Sequence, residues 1–175
     1  MLYLLLDNNI FNSFNGIIVI GVINMINKIV DADSSFSEKT FIDSVNHLFM
    51  IILKEIENNN INSIKEYLAN DVYVYFNDMV NDYKNKNLRR KFDMINISDT
   101  KIIDSMITDN FVTIDVELTS SYKDYVIDSD NKCVNGSNDL VQNIIHKITL
   151  TERRKNKHFN TLKRNKYLIT YIDGI

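Results

Sequence analysis

Three histidines, one cysteine and three strand carboxylates are the side chains of this 175-residue chain that could do chemistry. His47, His146 and His158 stand far apart in sequence, and no pair has the i, i+4 spacing of a helical metal site. His47 falls in a helical repeat and His146 in an alternating stretch, where a histidine is more often packed than catalytic. His158 sits among cations and reads as solvated. Cys133 is the single cysteine, so it makes no internal disulfide, and with no base beside it in sequence it reads as a plain surface thiol. Asp104, Asp115 and Glu117 could act as general bases inside a pocket. Asp115 and Glu117, however, alternate with Val112, Ile114, Val116 and Leu118, which places them on the polar side of their strand. With four glycines in all, neither GxGxxG nor GxSxG is present. The expectation is a protein that is not an enzyme, with no catalytic residues, no metal site and no cofactor.

The sequence concentrates positive charge instead. Lys84, Lys86, Arg89, Arg90 and Lys91 form one run; Arg153, Arg154, Lys155, Lys157, Lys163, Arg164 and Lys166 form another. Together they hold twelve of the 20 basic residues in a chain whose net charge is -3. Such segregation suits an anionic surface, whether lipid headgroups, nucleic acid or an acidic partner, although a solvated loop carries the same composition. Nucleic acid would favour aromatics interleaved with the cations. Only Tyr83, Phe92, Phe159 and Tyr167 lie beside them, which argues against it.

The elements that must position these runs follow from periodicity. Residues 1–30 are a hydrophobic N-terminal segment. Its apolar run Gly16–Ile26 falls short of the roughly 20 residues a spanning helix needs, and extending it takes in Asn12, Asn15, Asn24 and Asn27. No basic n-region precedes the run, which argues against a cleaved signal peptide. A single membrane anchor, an in-plane interfacial helix and a helix packed on the domain all stay open. Residues 31–37 are polar and read as a linker, with the main domain over 38–175. Ser35 and Glu38 have capping-box spacing. Beyond them Phe41, Val45, Leu48, Phe49, Ile52, Leu53 and Ile56 recur at steps of three and four, a helix with one apolar face. Ser63 and Glu66 repeat the capping-box spacing, and Val72, Phe76, Met79, Val80 and Tyr83 continue the helical period.

From Arg89 onward the period drops to two. Phe92–Ile97 and Lys101–Thr108 read as two strands, Asp109–Asn110 as a tight turn, and Phe111–Leu118 as the clearest strand, running on through Tyr122 and Tyr125 to Ile127. Asp128–Gly136 reads as a loop, Leu140–Leu150 as a strand, Thr151–Lys166 as a basic excursion and Tyr167–Ile172 as the closing strand. Helices first and a strand meander afterwards predict an α+β fold, with the N-terminal helices packed on a curved antiparallel sheet.

Over Phe41–Ile172 this order resembles the Tim44-like domain family of inner-membrane protein-import scaffolds and their bacterial relatives. The resemblance is carried by the helix Phe41–Ile56 and by Leu68–Ala69–Asn70–Asp71–Val72–Tyr73 with Phe76. It continues in Ile95–Asn96–Ile97, Lys101–Ile102–Ile103, Asp109–Asn110–Phe111–Val112–Thr113–Ile114–Asp115–Val116 and Val134–Asn135–Gly136, and ends in Thr149–Leu150–Thr151–Glu152–Arg153. Arg153 best fits the arginine of the family's aromatic "W-x-F-x-R" strand. The tryptophans are absent, Tyr167–Leu168 falls where the closing pattern would lie, and the basic stretch Arg154–Lys166 separates the two. The resemblance implies a cystatin-like, nuclear-transport-factor-two-like cone with an apolar pocket. It also implies a non-enzymatic, inner-membrane-associated role, with the domain on the cytoplasmic or matrix side and with protein clients or a chaperone as partners.

Three functional readings follow. The first is a membrane-associated scaffold binding anionic lipid or translocating polypeptide through Lys84, Lys86, Arg89, Arg90 and Lys91 and through Arg153, Arg154, Lys155, Lys157, Lys163, Arg164 and Lys166. The second is a pocket protein of the same fold, holding a small apolar ligand or acting as an isomerase. The third is a ribosome- or RNA-associated membrane adaptor.

Overall fold

In the computed structural model, residues 25–154 and 167–175 are described. Residues 25–32 are helical (α1), and α2 spans Glu38–Glu57. A 3-10 helix covers Ile61–Tyr67, and α3 covers Asn70–Asn85. The strands are β1 (Arg89–Ile107), β2 (Phe111–Ile127), β3 (Cys133–Gly136), β4 (Gln142–Arg153) and β5 (Leu168–Ile172). They form one antiparallel sheet in the order β1-β2-β4-β5, with β3 added on β2. The α+β expectation is met: helices lie on one face of an open antiparallel sheet.

The apolar stripe of α2 does what its spacing predicts. Phe41, Val45, Phe49, Ile52, Leu53 and Ile56 are buried against the inner sheet face, which supplies Val112, Ile114, Val116, Leu118, Tyr122, Ile148, Leu150 and Ile169. Val72, Phe76 and Val80 of α3 close the same core. The start of α2 lies two residues later than the Ser35–Glu38 box implied. Ser37 is the cap, its hydroxyl accepting from Thr40 N at 3.4 Å, while Ser35 turns back to Asp33 through a 2.7 Å hydroxyl–carboxylate bond. The second box also fails. Ser63 donates to Glu55 Oε2 at 2.7 Å and to the Asn60 carbonyl at 2.9 Å, and a 3-10 helix forms there. Both helices with apolar stripes end at an asparagine in the left-handed region, Asn59 (φ 53°) after α2 and Asn87 (φ 55°) after α3.

Several boundaries move: the strand read over Leu140–Leu150 is β4 at Gln142–Arg153, and the loop read over Asp128–Gly136 contains β3. The pair of strands read over Phe92–Thr108 is the single strand β1, broken in register at Asp93/Asn96, Ile97/Asp99 and Ile102/Asp104. Each bulge adds an unpaired residue and flips the alternation, so a period of two cannot run through it. At the other end, helix α1 crosses the boundary drawn at residue 30, and its Ile29 is 0% exposed within the core. The last part of the apolar segment is thus core of the domain. The remainder, residues 1–24, lies outside the described residues, as does the span question attached to it. Among the described residues no helix is long and apolar enough to cross a membrane.

Candidate functional site

β2 is the ruler along which the two basic runs are placed. Arg89 pairs with Ile127 at its last residue, and Arg153 pairs with Phe111 at its first. Seventeen residues of strand separate these points, a contour of about 50 Å at ~3.3 Å per residue. The runs therefore occupy opposite ends of the sheet and form no common patch.

At the first end most of the cations are already neutralised. Arg90 makes a two-pronged bond to Asp124, with Nε 2.9 Å from Oδ1 and Nη2 2.6 Å from Oδ2, and its guanidinium lies over Phe92. Burial works against its charge, but the bond to Asp124 and that carboxylate's charge outweigh burial and raise its pKa. Lys91 pairs with Glu57 at 3.0 Å and Lys86 with Asp82 at 2.7 Å. Arg89 reaches only the neutral Asn131 amide, at 3.5 Å. Lys84 is exposed and has no acidic partner among the described residues.

At the second end Arg153 is exposed, and Arg154 is tied to backbone: its N–H donates to the Asn110 carbonyl at 2.7 Å and Nη1 to the Thr108 carbonyl at 3.0 Å. Neither makes an ion pair among the described residues. Lys155, Lys157, Lys163, Arg164 and Lys166 lie outside the described residues. The β1–β2 turn that Arg154 grips is the tight Asp109–Asn110 turn, closed by Thr108 N to the Phe111 carbonyl at 2.9 Å. On either side of it stand two exposed apolar side chains, Met106 (61%) and Phe111 (45%). Sequence reading missed these; alternation puts both on the outer face, where an apolar residue breaks the polar pattern.

The same end opens a groove of about 600 Å³ along the flank of α2. Ser37, Thr40, Ser44 and His47 form its polar wall, and Phe36, Phe41, Leu48, Tyr67, Leu150 and Tyr167 supply apolar lining. Phe36 packs on Phe41 at 5.5 Å, and Phe41 meets Tyr167 edge-on at 5.2 Å. Burial, then the charges of Glu152 and Asp33, raise the pKa of the Tyr167 phenol, so it is neutral at physiological pH. In sequence the second basic run begins at Arg153, the last residue of β4, and ends one position before Tyr167, which lines the groove.

The chemical candidates scatter. Asp115 accepts from Thr149 Oγ1 at 2.7 Å and Glu117 pairs with Lys101 at 2.6 Å, both on the outer face away from the groove. Asp104 bonds the N–H of its own neighbour Ser105. Cys133 is half-buried in β3, with Sγ 3.4 Å from the Asn135 carbonyl. His47 lines the groove together with the hydroxyls of Ser37, Thr40 and Ser44, and no Asp or Glu is among the described groove residues. His146 is wholly buried and bonded to Ser120 and Asp173. Its phase with Ile144, Ile148 and Leu150 on β4 was the signal for that. His158 lies outside the described residues. Among the described residues no His, Cys, Asp and Glu group is placed to hold a metal.

The architecture is that of a helix-on-sheet cone with an open flank groove and a cationic end. The sequence profile of the Tim44-like domain matches residues 23–162, and the chain belongs to the Tim44-like domain family. The crystal structure of the intermembrane space region of the chloroplast protein ARC6 superposes with a TM-score of 0.52, at 10% identity, over 79% of this chain and 95% of that one. That likeness is one of fold. No curated protein sequence gives a significant match. The family is one of membrane-associated, import-related scaffolds, generally non-enzymatic.

Proposed function

We propose that this chain is a non-enzymatic scaffold that meets an anionic bilayer with the end of the sheet carrying Arg153 and Arg154. It holds a polypeptide client or chaperone on the remainder of its surface. One observation carries the reading: among the described residues Arg153 and Arg154 make no ion pair and stand beside exposed Met106 and Phe111, whereas Arg90 and Lys91 at the other end are neutralised. Lys155, Lys157, Lys163, Arg164 and Lys166 continue the same run in sequence. Near an anionic leaflet each such cation contributes about 1 kcal/mol, an attraction that salt screens. A domain docked in this way lies on the side where the leaflet is anionic, the cytoplasmic or matrix side.

The test is flotation of the full chain with neutral and with anionic liposomes, at low and high salt, beside a variant carrying Arg153→Gln, Arg154→Gln, Lys155→Gln and Lys157→Gln. Binding to anionic vesicles at low salt that the variant loses supports the proposal. Equal flotation with neutral vesicles assigns binding to the apolar segment 1–24 and overturns it, as does unchanged binding of the variant. A truncation meant to separate the two must begin near residue 23, because cutting at Asp31 removes Ile29 from the core.

The groove supports a second reading, a small apolar ligand seated on Phe36, Phe41, Leu48 and Leu150 with its polar end toward Ser37, Thr40 and His47. Isothermal titration with a medium-chain fatty alcohol tests it, and a Leu48→Glu variant that binds equally well would end it.

A further inference from the structure

Residues 173–175 run back over the inner face of β4 and cover a histidine that the membrane reading does not use. His146 is 0% exposed. Its Nδ1 lies 2.9 Å from the Asp173 carbonyl oxygen and its Nε2 2.9 Å from Ser120 Oγ. A carbonyl only accepts, so Nδ1 carries the proton; the neutral ring then accepts at Nε2, and the Ser120 hydroxyl donates. The ring packs against Phe49 at 4.7 Å and lies parallel to Tyr122 at 6.1 Å. Gly174 covers its edge so closely that a Cβ there would stand 2.7 Å from Nδ1, and its φ of +77° favours glycine on its own. Four more bonds hold the segment: Tyr122 Oη donates to the Gly174 carbonyl at 3.2 Å, Lys147 N to Asp173 Oδ1 at 2.6 Å, Tyr171 Oη to Asp173 Oδ2 at 3.4 Å, and Asp173 N to the Lys147 carbonyl at 3.2 Å.

The geometry points to residues 173–175 as a latch that closes only over neutral His146 and is released when the imidazole takes up a second proton. That proton belongs on Nε2, where the Ser120 hydroxyl now donates; the hydroxyl must turn round to accept, inside a wall of Phe49 and Tyr122. Two titratable groups face the ring. The Tyr122 phenol is neutral, pushed up to about 12 by burial. The Asp173 carboxylate favours a charged ring, but it already accepts from Lys147 N. Burial outweighs the backbone bond and charge of Asp173 and holds His146 below its ordinary value of 6.5.

The sign follows. The open form binds the proton near pH 6.5 and the closed form binds it more weakly, so the latch is fully stable above that value and weakens as pH falls below it. The opening constant is therefore larger at pH 5 than at pH 8, with a ceiling of about 30-fold set by an open-form value of 6.5. The opening is local, because β2 and β4 remain paired from Phe111 to Tyr122 without the segment.

The experiment is amide hydrogen exchange by NMR on the full chain at pH 5.0 and 7.5, corrected for intrinsic exchange, together with titration of the His146 ring protons. The Asp173 amide, bonded to the Lys147 carbonyl, should open more often at the lower pH, with a ceiling of about 30-fold, while Ile114 and Val116 keep their protection. His146→Asn retains a donor toward the Asp173 carbonyl without a titrating ring and should abolish the pH effect. Gly174→Ala should release the segment at pH 7.5 and return the imidazole to near 6.5. Unchanged Asp173 protection in the unsubstituted chain overturns the latch. So does loss of Ile114 and Val116 protection in step with Asp173, which would mean global unfolding. These two readings need neither variant to fold.

Discussion

The two ends of β2 carry similar charge in sequence and opposite arrangements in space. Around Arg89–Lys91 strand β2 sets Asp124 within reach of Arg90 and the end of α2 sets Glu57 within reach of Lys91, so a run of cations becomes part of the structure. Around Arg153–Arg154 the cross-strand partners are Phe111 and the backbone of the β1–β2 turn, and the charge is left facing outward. A cationic run in a sequence is therefore no measure of a cationic surface. What decides is whether the fold brings a carboxylate within reach, and among the described residues it does so for Arg90 and Lys91 and not for Arg153 and Arg154.

The contrast is tested first by exchanging the consequences. Replacing Arg153, Arg154, Lys155 and Lys157 with Gln removes four cations from the outward end, and at about 1 kcal/mol each the affinity for anionic vesicles should fall by two to three orders of magnitude. Lys84→Gln with Arg89→Gln, at the far end, should leave it unchanged. Equal losses from both pairs of ends would show the two ends to be alike after all, and flotation or vesicle titration reads the difference.

Stability should respond in the reverse pattern. Arg90→Ala strips a half-buried carboxylate of its partner, whose side chain is only 20% exposed, and should cost about 3 kcal/mol in urea denaturation. Arg153→Ala should stay within about 0.5 kcal/mol of the unsubstituted chain. A large loss at Arg153 would mean that the outward end is also held by charge. Smaller again is the apolar contribution at the outward end. Met106→Ser with Phe111→Ser removes exposed side chains, so stability should hold within about 0.5 kcal/mol, while vesicle binding should weaken about tenfold as their insertion into the interface is lost. Full retention of binding would leave only the cations in contact with lipid.

How much of this was legible depends on what the signal travels through. The stripe from Phe41 to Ile56 and the alternation from Val112 to Leu118 were readable because each lies in an unbroken element with one buried face. β1 was read as two strands because its bulges, with Met94 at φ 56°, interrupt the period. The segment Gly16–Ile26 illustrates a deeper ambiguity: an apolar stretch destined for a core and one destined for lipid share a composition, and it takes the burial of Ile29 to show that the described residues after it join the core. The cations were legible as residues, but their site was not. Arg90 and Asp124 lie 34 positions apart, and three bulges intervene before the register that joins them can be counted. The groove was out of reach for the same reason, since Phe36, Tyr67, Leu150 and Tyr167 meet only in the fold.

The finest test of the contrast is alkaline, and it concerns the end where charge is internal. Tyr122 is wholly buried beside Phe92, with its ring centroid 5.6 Å away, and its phenol donates to the Gly174 carbonyl. Burial first, and the charge of Asp124 next, push it up to about 12 from an ordinary 10, while Arg90 pulls the other way. In the unfolded chain the phenol ionises near pH 10; in the folded chain it keeps its proton. Stability is therefore constant up to about pH 10 and declines as pH rises from 10 toward 12, by an amount on the order of 1–2 kcal/mol. Tyr125 is also pushed up to about 12, chiefly by its bond to Asp93, but it lies toward solvent and its share is screened. Tyr122→Phe gives up the bond to Gly174, about 1 kcal/mol at pH 8, and should then show a flatter profile up to pH 11. An equal alkaline decline in that variant would move the source to another tyrosine. If Arg90→Ala makes the decline steeper in the chain that keeps Tyr122, the guanidinium is confirmed as a charge acting within the core rather than one offered to a surface.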